Sequence, residues 1–232
     1  MKFCIRKNSA FSKSFQNEYI RSHFDIAEES VEEVFEGDIA IEGIEWNIGV
    51  IVGPSGTGKS SIAAELFGDS FLDLSFSEDL TVFEDLVKTS WSDLQGVTDV
   101  LNKVGFNTPK SWLKPFSVLS NGEKMRVQLA KALLSDKEIV IFDEFTSVVD
   151  RQIAKVASIA IAKAVRRSWK KFIAVACHYD FLEYIEPDWI FDTKDFTFTQ
   201  GMKSPTWKDL RSNWRWETEA STNGSFSRSI II

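Results

Sequence analysis

Short apolar runs alternate with amphipathic segments along most of the chain. Such runs are typical of strands that are buried on both faces of a parallel sheet. They are found at 46–52, 71–74, 138–143, 171–177 and 189–191. The segments between them repeat apolar residues at helical spacing, which predicts helices at 59–67, 81–113, 121–134, 149–169 and 179–185. Because strands alternate with helices, we expect a parallel α/β sheet inside a three-layer domain.

The first 45 residues lack this alternation and are predicted to form a β-rich edge of the domain. Weak alternation at 2–7 and an apolar stretch at 39–42 indicate short strands. The acidic stretch at 25–36 indicates one or two helical turns. This edge is therefore expected to consist of short strands and turns.

No linker rich in Pro, Gly or Ser divides the chain into separate domains. We assign residues 1–203 to one domain, with a small helical insert at 81–118. Residues 204–232 are assigned to a C-terminal extension. Ser, Thr, Asn and Gly are frequent at 217–228, which indicates that part of this extension is flexible.

The charge balance limits the partners of the chain. Lys and Arg total 27 against 34 for Asp and Glu, so the net charge is −7. An acidic chain lacks the positive field that non-specific binding of nucleic acid needs. The two cysteines, Cys4 and Cys177, form no disulfide framework or zinc quartet, which is typical of a cytoplasmic protein. Charged residues interrupt the most apolar helical stretch, 148–165, so we expect no insertion into a membrane.

A glycine-rich loop joins the first long apolar run to the helix that follows it. Its residues are Gly53, Pro54, Ser55, Gly56, Thr57, Gly58, Lys59 and Ser60, followed by Ser61. Glycines let backbone N–H groups converge on phosphate oxygens, and the helix N-terminus adds positive potential. We expect Lys59 to reach the outer phosphates of a nucleotide and the Ser60 hydroxyl to bind Mg²⁺. The alternative is a glycine-rich helix cap without a ligand.

Further motifs follow this P-loop in a fixed order. They are Leu119-Ser120-Asn121-Gly122-Glu123 before a long helix, Asp143-Glu144 after an apolar strand, Asp150 before the next helix, and His178 after the next strand. Together with the loop, this ordered set resembles the ATP-binding-cassette (ABC) ATPases over about residues 45–192. Within that family, the chain is similar to soluble prokaryotic and phage ATPases, some of which are fused to an acetyltransferase-like domain.

The resemblance implies a function for each motif. The residues expected to act on the γ-phosphate of ATP and on the attacking water are Lys59, Glu144 and His178. Mg²⁺ would be held by Ser60 and Asp143, and Asp150 would lie in the D-loop. The signature, which would contact ATP bound to a second copy of the chain, is formed by Ser120, Asn121, Gly122 and Glu123. The implied assembly is an ATP-driven, head-to-tail homodimer that acts on an unidentified protein partner.

The residues themselves leave simpler interpretations open. Ser120 with Glu123 three residues later is also a capping box, and both interpretations can hold because cap geometry builds an anion site. Acidic pairs such as Asp143-Glu144 are usually solvated, although open α/β sheets bind ligands at this end of their strands. His23 has no supporting motif and is expected at the surface.

The sequence departs from the family pattern in positions that help to distinguish a soluble ATPase from a subunit of a membrane transporter. The signature has Asn121 and Glu123 where Gly and Gln are usual, and Ser77 stands where the family has a glutamine that couples to a partner. Gly53 and Leu119 are 66 residues apart, a shorter separation than in most transporter members. We therefore favour a soluble ATPase, with the ATP-binding subunit of a membrane transporter as the alternative.

Several remaining features have more than one interpretation. Phe24 and Phe35 are candidates for stacking on adenine, and Cys177 is predicted to be a buried apolar residue. The basic cluster at 166–171 is expected to be a solvated helix end. Aromatic and basic residues mix at 207–216, as in proteins that bind single-stranded nucleic acid. A nucleic-acid-associated or defence or repair module is therefore a third interpretation.

Overall fold

The computed structural model describes residues 1–27, 30–90 and 92–201. Within these ranges the strands are β1 (Lys2–Ala10), β2 (Ser30–Asp38), β3 (Ile48–Val52), β4 (Ile139–Phe142), β5 (Lys171–Ala176), β6 (Trp189–Asp192) and β7 (Thr197–Gln200). The helices are α1 (Phe15–His23), α2 (Lys59–Phe67), α3 (Val82–Thr89), α4 (Leu94–Lys103), α5 (Pro109–Trp112), α6 (Asn121–Leu134), α7 (Arg151–Arg166) and α8 (Leu182–Ile185). Short 3₁₀ turns are formed by Gly68–Ser70 and Phe116–Val118.

The central sheet has the strand order β4-β5-β3-β6-β7. Its first four strands in space are parallel, and β7 pairs with β6 in antiparallel orientation. The near-continuous burial of β3, β4 and β5 explains why their apolar runs predict them well. The apolar pattern does not predict β7, whose residues are exposed or only partly buried.

Side chains of the central sheet alternate between two cores. In β3, Ile48 and Val50 face a core that includes residues of α3, α4, α6, α7 and α8. Ile51 faces the opposite core, which α2 and the strands β1 and β2 close. This alternation is the period-two geometry of a strand with both faces covered. The expected three-layer α/β architecture is confirmed.

The N-terminal edge is an antiparallel pair of long strands. β1 and β2 are in register from residue 2 opposite 38 to residue 10 opposite 30. The helical turns predicted at 25–36 are wrong, because β2 covers most of that stretch. Phe35 is buried and both its neighbours are exposed, a period-two pattern that the acidic composition obscures. The helix in this region is α1, which begins after Ser14, whose hydroxyl accepts a hydrogen bond from the Asn17 N–H.

Two segments predicted as strands have other conformations. Residues 39–42 follow an irregular path in which Ile39 and Ile41 are buried, so their apolar character reflects core packing rather than sheet pairing. Residues 71–74 contribute one isolated bridge, between Phe71 and Ile141 of β4. Apolar residues in both segments therefore fill the core outside regular strands.

The helical insert, predicted at 81–118, contains α3, α4 and α5. α3 begins with a capping box in which Thr81 and Glu84 each accept a hydrogen bond from the backbone of the other. An ion pair of 3.0 Å joins Lys131 of α6 to Asp85 of α3, and the Asp85 side chain is nearly buried. The insert is thus anchored on α6, the helix that follows it.

The basic cluster at 166–171 is solvated only in part, because Arg166 and Arg167 are exposed whereas Lys170 is buried. Lys170 is only 4% exposed, and its ammonium donates hydrogen bonds of 2.7 Å to the carbonyls of Ser135 and Lys137. These carbonyls lie where α6 ends and the chain turns toward β4, so the lysine satisfies groups that the helix end leaves unpaired. Burial lowers the pKa of the Lys170 ammonium. The expected solvated helix end is therefore confirmed for Arg166 and Arg167 and wrong for Lys170.

The extension at 204–232 lies outside the described residues, together with Trp207, Trp214 and Trp216. In the ranges that the structure describes, every helix is too short or too polar to cross a bilayer.

Candidate nucleotide site

The glycine-rich loop connects β3 directly to α2, as predicted. Gly53, Gly56 and Gly58 have φ values of 149°, 82° and 81°, a region that side-chain-bearing residues rarely adopt. At Gly58 space is limiting as well, because a Cβ there would lie 2.8 Å from the ring of Phe35. Gly58 precedes α2 without a side-chain cap, so the first N–H groups of the helix remain available to a ligand.

Hydrogen bonds hold the loop in its curled shape. The Pro54 carbonyl accepts hydrogen bonds from the Thr57 hydroxyl, at 2.8 Å, and from the Lys59 ammonium, at 2.6 Å. The Thr57 hydroxyl also lies 2.5 Å from that of Thr193, which follows β6. Lys59 is 7% exposed and therefore holds its charge against the loop rather than in bulk solvent.

A cavity of about 320 Å³ opens beside the loop. The sequence-predicted residues that line it are Ser55, Gly56, Gly58, Lys59, Ser60, Ser61, Asp143 and Glu144. The structure thus brings the phosphate loop and the acidic pair together, although more than 80 residues separate them in sequence. The remaining lining comes from the end of β5 and from the β1–β2 hairpin.

The acidic pair sits on a constrained turn after β4. Glu144 has a positive φ of 52°, and its N–H donates a 2.9 Å hydrogen bond to the Asp143 carboxylate. Next in the chain, Phe145 is fully buried, and its N–H donates to the carbonyl of Val175 in β5. The turn is therefore attached to the neighbouring strand, which orients both carboxylates beside the loop.

The oxygen donors in this cavity suit a hard cation. Ser60 and Asp143 both line it, and their side chains carry a hydroxyl and a carboxylate, the oxygen ligands that Mg²⁺ prefers. Among the described residues there is no cluster of three or more His, Cys, Asp or Glu side chains that could hold a metal by itself. A cation here would thus also need oxygens of a bound phosphate, which is the usual arrangement for Mg²⁺.

The signature segment forms a complete helix cap. Ser120 accepts a hydrogen bond from the Glu123 N–H, while the Glu123 carboxylate accepts from the Ser120 N–H at 3.0 Å and hydroxyl at 2.9 Å. These bonds, from the Ser120 N–H first and then its hydroxyl, lower the pKa of Glu123. Asn121 is exposed, while Gly122 is buried against Ile153 of α7. In the described part of the chain, the signature lies outside the cavity beside the phosphate loop.

Asp150 and His178 are not among the residues that line the cavity. Asp150 caps α7 by accepting hydrogen bonds of 2.9 Å from two backbone N–H groups. His178 is exposed just after β5, and the preceding Cys177 lines the cavity. Cys177 is half-buried, so its assignment to the apolar core is wrong. His23 is exposed, as expected.

The structure distinguishes the candidates for stacking on adenine. It also shows the surroundings of the residue at the position of the partner-coupling glutamine. Phe35 lines the cavity, whereas Phe24 is exposed at the end of α1. Ser77, at the position of the expected glutamine, donates its N–H to the carboxylate of Asp85 in α3. Gln95 is remote from this role, since its amide bonds to a neighbour within α4.

Sequence reasoning missed residues that support the loop from a distance. Thr193 is buried, and its N–H donates a 2.8 Å hydrogen bond to the Val52 carbonyl at the start of the loop. The Tyr179 hydroxyl donates to Asp192, and burial raises the pKa of that carboxyl. No local motif marks these residues, because their role depends on the pairing of β3 with β6.

Comparison with known proteins agrees with this geometry. Residues 67–147 match the family model described as "ABC transporter", a match that includes the signature and the acidic pair. The lipoprotein-releasing system ATP-binding protein LolD of Protochlamydia amoebophila is 29% identical over 132 residues, which is 52% of this chain and 57% of LolD. The ABC-type transporter MDR1 of Aureobasidium melanogenum is 37% identical over 33% of this chain and 6% of its own length. The chain thus spans less than two thirds of these curated relatives.

Solved structures show the same fold at low sequence identity. The dimeric ATP-binding cassette MJ0796 bound to ADP and Pi has a TM-score of 0.57 and 17% identity, with 75% of this chain and 93% of that chain covered. A second dimeric structure of MJ0796, described as a bacterial ABC transporter cassette, has a TM-score of 0.58 and 15% identity, covering 84% and 98%. The family match over residues 67–147 and the shared fold both make this chain similar to the ATPase domains of the ABC family.

Proposed function

We propose that this domain binds ATP with Mg²⁺ in the cytoplasm and hydrolyses it as one half of a head-to-tail homodimer. The cycle of association and separation would act on a protein partner that is not identified. The observation that carries the proposal is the cavity in which the phosphate loop meets Asp143 and Glu144. A phosphate chain, a cation and a base for water need these groups within one site.

Each residue of the cavity has a role in this proposal. The backbone N–H groups of the loop and the Lys59 ammonium hold the phosphates, and Ser60 with Asp143 holds Mg²⁺. Glu144 orients the attacking water and accepts its proton as the oxygen attacks the γ-phosphorus and ADP leaves. His178 approaches the γ-phosphate from the end of β5.

The signature and the D-loop would complete the site of the second copy. Ser120, Asn121 and Gly122 would offer the N-terminus of α6 to the partner's ATP, with Asp150 nearby at the start of α7. Two observations support a role between copies. The signature lies outside its own cavity among the described residues, and the similar MJ0796 cassette is a dimer in its solved structures.

Replacement of the proposed base tests this mechanism. Glu144→Gln should retain ATP binding, lower hydrolysis by about 100-fold or more, and accumulate an ATP-dependent dimer. The matched control is Glu138→Gln at the other end of β4, where an exposed carboxylate pairs with Lys171. Measurements of phosphate release and of mass in solution would check both. Wild-type turnover without dimer formation in Glu144→Gln would contradict the proposal.

A second candidate is the ATP-binding subunit of a membrane transporter. The similarity to LolD, which is the ATP-binding protein of a lipoprotein-releasing system, favours it. The short separation of Gly53 from Leu119 and the serine at position 77 count against it. Co-purification of the chain with a polytopic membrane protein would support this candidate. The nucleic-acid interpretation depends on residues 207–216, which lie outside the described ranges.

A further inference from the structure

One face of the β1–β2 hairpin changes character along its length. In the antiparallel register, successive residue pairs on this face are Phe3 with Gly37, Ile5 with Phe35, and Lys7 with Glu33. Phe3, Ile5 and Phe35 of the first two pairs belong to the core around α2. The third pair, which we name the charged pair, consists of Lys7 and Glu33. The face therefore changes from buried or partly buried apolar residues to exposed charges between the second pair and the third.

The charged pair borders the phosphate-loop cavity. Lys7, Glu33 and Phe35 all line it, together with Gly58 and Lys59. Phe35 fixes the distance of the hairpin from the loop, because its ring packs where a Cβ of Gly58 would lie. The charged pair follows next on the same face of the hairpin, so it is held beside the mouth of the cavity.

Different elements contribute the charged pair and the catalytic carboxylates to the cavity. Asp143 and Glu144 follow β4 of the central sheet, whereas Lys7 and Glu33 belong to the separate two-stranded sheet of the hairpin. A phosphate chain with its Mg²⁺ end at the carboxylates would therefore leave the hairpin side of the cavity to its other end.

Both side chains of the charged pair are available to a ligand. They are exposed, and within the described ranges no ion pair or hydrogen bond engages either of them. A carboxylate accepts hydrogen bonds from neighbouring hydroxyls, and an ammonium donates to phosphate oxygens. The glycine-rich loop, by contrast, recognises phosphates alone and does not read the sugar.

We propose that the charged pair binds the nucleoside end of the nucleotide, an inference that rests on the proposed ATPase function. Glu33 accepts hydrogen bonds from the ribose hydroxyls, and Lys7 contacts the phosphate nearest the ribose. The hairpin thereby selects ribonucleotides, while the loop supplies affinity for any triphosphate chain.

Equilibrium binding of three ligands tests this selection. The ligands are ATP, 2′,3′-dideoxy-ATP and inorganic tripolyphosphate. Wild type should bind ATP about tenfold more tightly than dideoxy-ATP, as expected for loss of hydrogen bonds to a charged group. Glu33→Ala should abolish that preference and leave tripolyphosphate affinity unchanged. Lys7→Met should weaken ATP and dideoxy-ATP equally, by about threefold, and reduce the salt dependence of binding.

The matched control is Glu32→Ala, which removes the neighbouring carboxylate from the opposite face of β2. It should retain the preference for ATP. An equal affinity of wild type for ATP and dideoxy-ATP would overturn the inference alone, as would an undiminished preference in Glu33→Ala or a loss of preference in Glu32→Ala. Failure of wild type to bind both ATP and tripolyphosphate would instead overturn the proposed function, and the inference with it.

Discussion

Two helices of this domain begin at proposed ATP-contacting segments, and they begin in opposite ways. α2 starts after Gly58, which has a left-handed conformation and no side chain to cap the helix. α6 starts after Ser120, which has an extended conformation and forms a complete capping box with Glu123. The first turn of α2 contains no acidic residue, whereas that of α6 contains Glu123. One helix N-terminus is open and the other is satisfied by its own side chains.

The N-terminus of α2 is therefore preorganised for phosphate binding, whereas the N-terminus of α6 has to rearrange before it can bind phosphate. At α2, N–H groups and the positive end of the helix dipole face a curled loop, so phosphate can bind without displacing a protein group. At α6, the Glu123 carboxylate already occupies the Ser120 N–H and hydroxyl. The γ-phosphate of ATP bound to a second copy would compete with this carboxylate for the Ser120 N–H and hydroxyl. The two negative charges would also repel each other. We therefore expect ATP to bind one copy first and association to follow more weakly.

The largest expected effect is the loss of ATP affinity on removing the positive charge of Lys59, at the uncapped N-terminus of α2. Lys59→Ala should weaken ATP binding by about 100-fold or more, because the ammonium that lies against the loop is lost. The control is Lys163→Ala, which removes an exposed lysine from α7. Titration with ATP measures both. Similar affinities in the two variants would show that the loop is not the phosphate site.

A smaller effect is expected from a methyl group at the start of α2. Gly58→Ala should cost about 2 kcal/mol of unfolding free energy, because the positive φ is strained and the Cβ meets Phe35. Gly68→Ala is the matched control, since Gly68 has φ −50° and nothing lies within 4 Å of its Cβ position. Urea denaturation compares the variants. Equal stability would mean that the loop adopts a different conformation around Gly58.

These two termini also show what local sequence can predict. The boundaries of α2 and α6 follow from signals within a few residues, namely glycines after an apolar run and a capping serine three residues before a glutamate. Asp143 and Glu144 could be placed as well, because parallel strands end at one edge of a sheet. Their meeting with the loop in one cavity confirms that argument.

What the sequence could not predict depends on contacts between distant segments. Thr193 supports the loop through a partner 136 residues away, and nothing in its own neighbourhood indicates this. The sequence does not predict β2, because its acidic residues conceal a period-two pattern. The buried member of that pattern, Phe35, packs beside Gly58 of the loop, which is distant in sequence. Lys170 likewise reads as surface until the end of α6 is folded against it.

The next largest effect tests whether the capping box at the N-terminus of α6 stabilises the fold. Ser120→Ala should lower the unfolding free energy of the isolated chain by about 1 kcal/mol, the usual cost of losing an N-cap. Asn121→Ala, one position later and equally exposed, is the control and should change stability by less than about 0.5 kcal/mol. Urea denaturation without ATP measures the cap alone. Equal effects of the two substitutions would mean that the capping box adds no stability.

The smallest expected effect separates two properties of Glu123, namely its hydrogen bonds to Ser120 and its negative charge. Glu123→Gln keeps a side chain that can accept from Ser120 but removes the negative charge facing an incoming phosphate. We expect ATP-dependent dimers of a Glu144→Gln background to form at about threefold lower protein concentration, a modest gain because the site is partly exposed and screened. Analytical ultracentrifugation measures it. Weaker association would mean that the carboxylate itself contributes to the interface.

The pH dependence of stability gives an independent check on the same carboxylate. Hydrogen bonds from Ser120 lower the pKa of Glu123 in the folded state, so the stabilisation is present at pH values above the pKa of the unfolded state. It is lost as pH falls through the lowered, folded-state value. The stability difference between wild type and Glu123→Gln should therefore be constant between about pH 7 and pH 5 and shrink at lower pH. A difference that grew on acidification would show that Ser120 does not hold the charged form, and the contrast between α2 and α6 would fail.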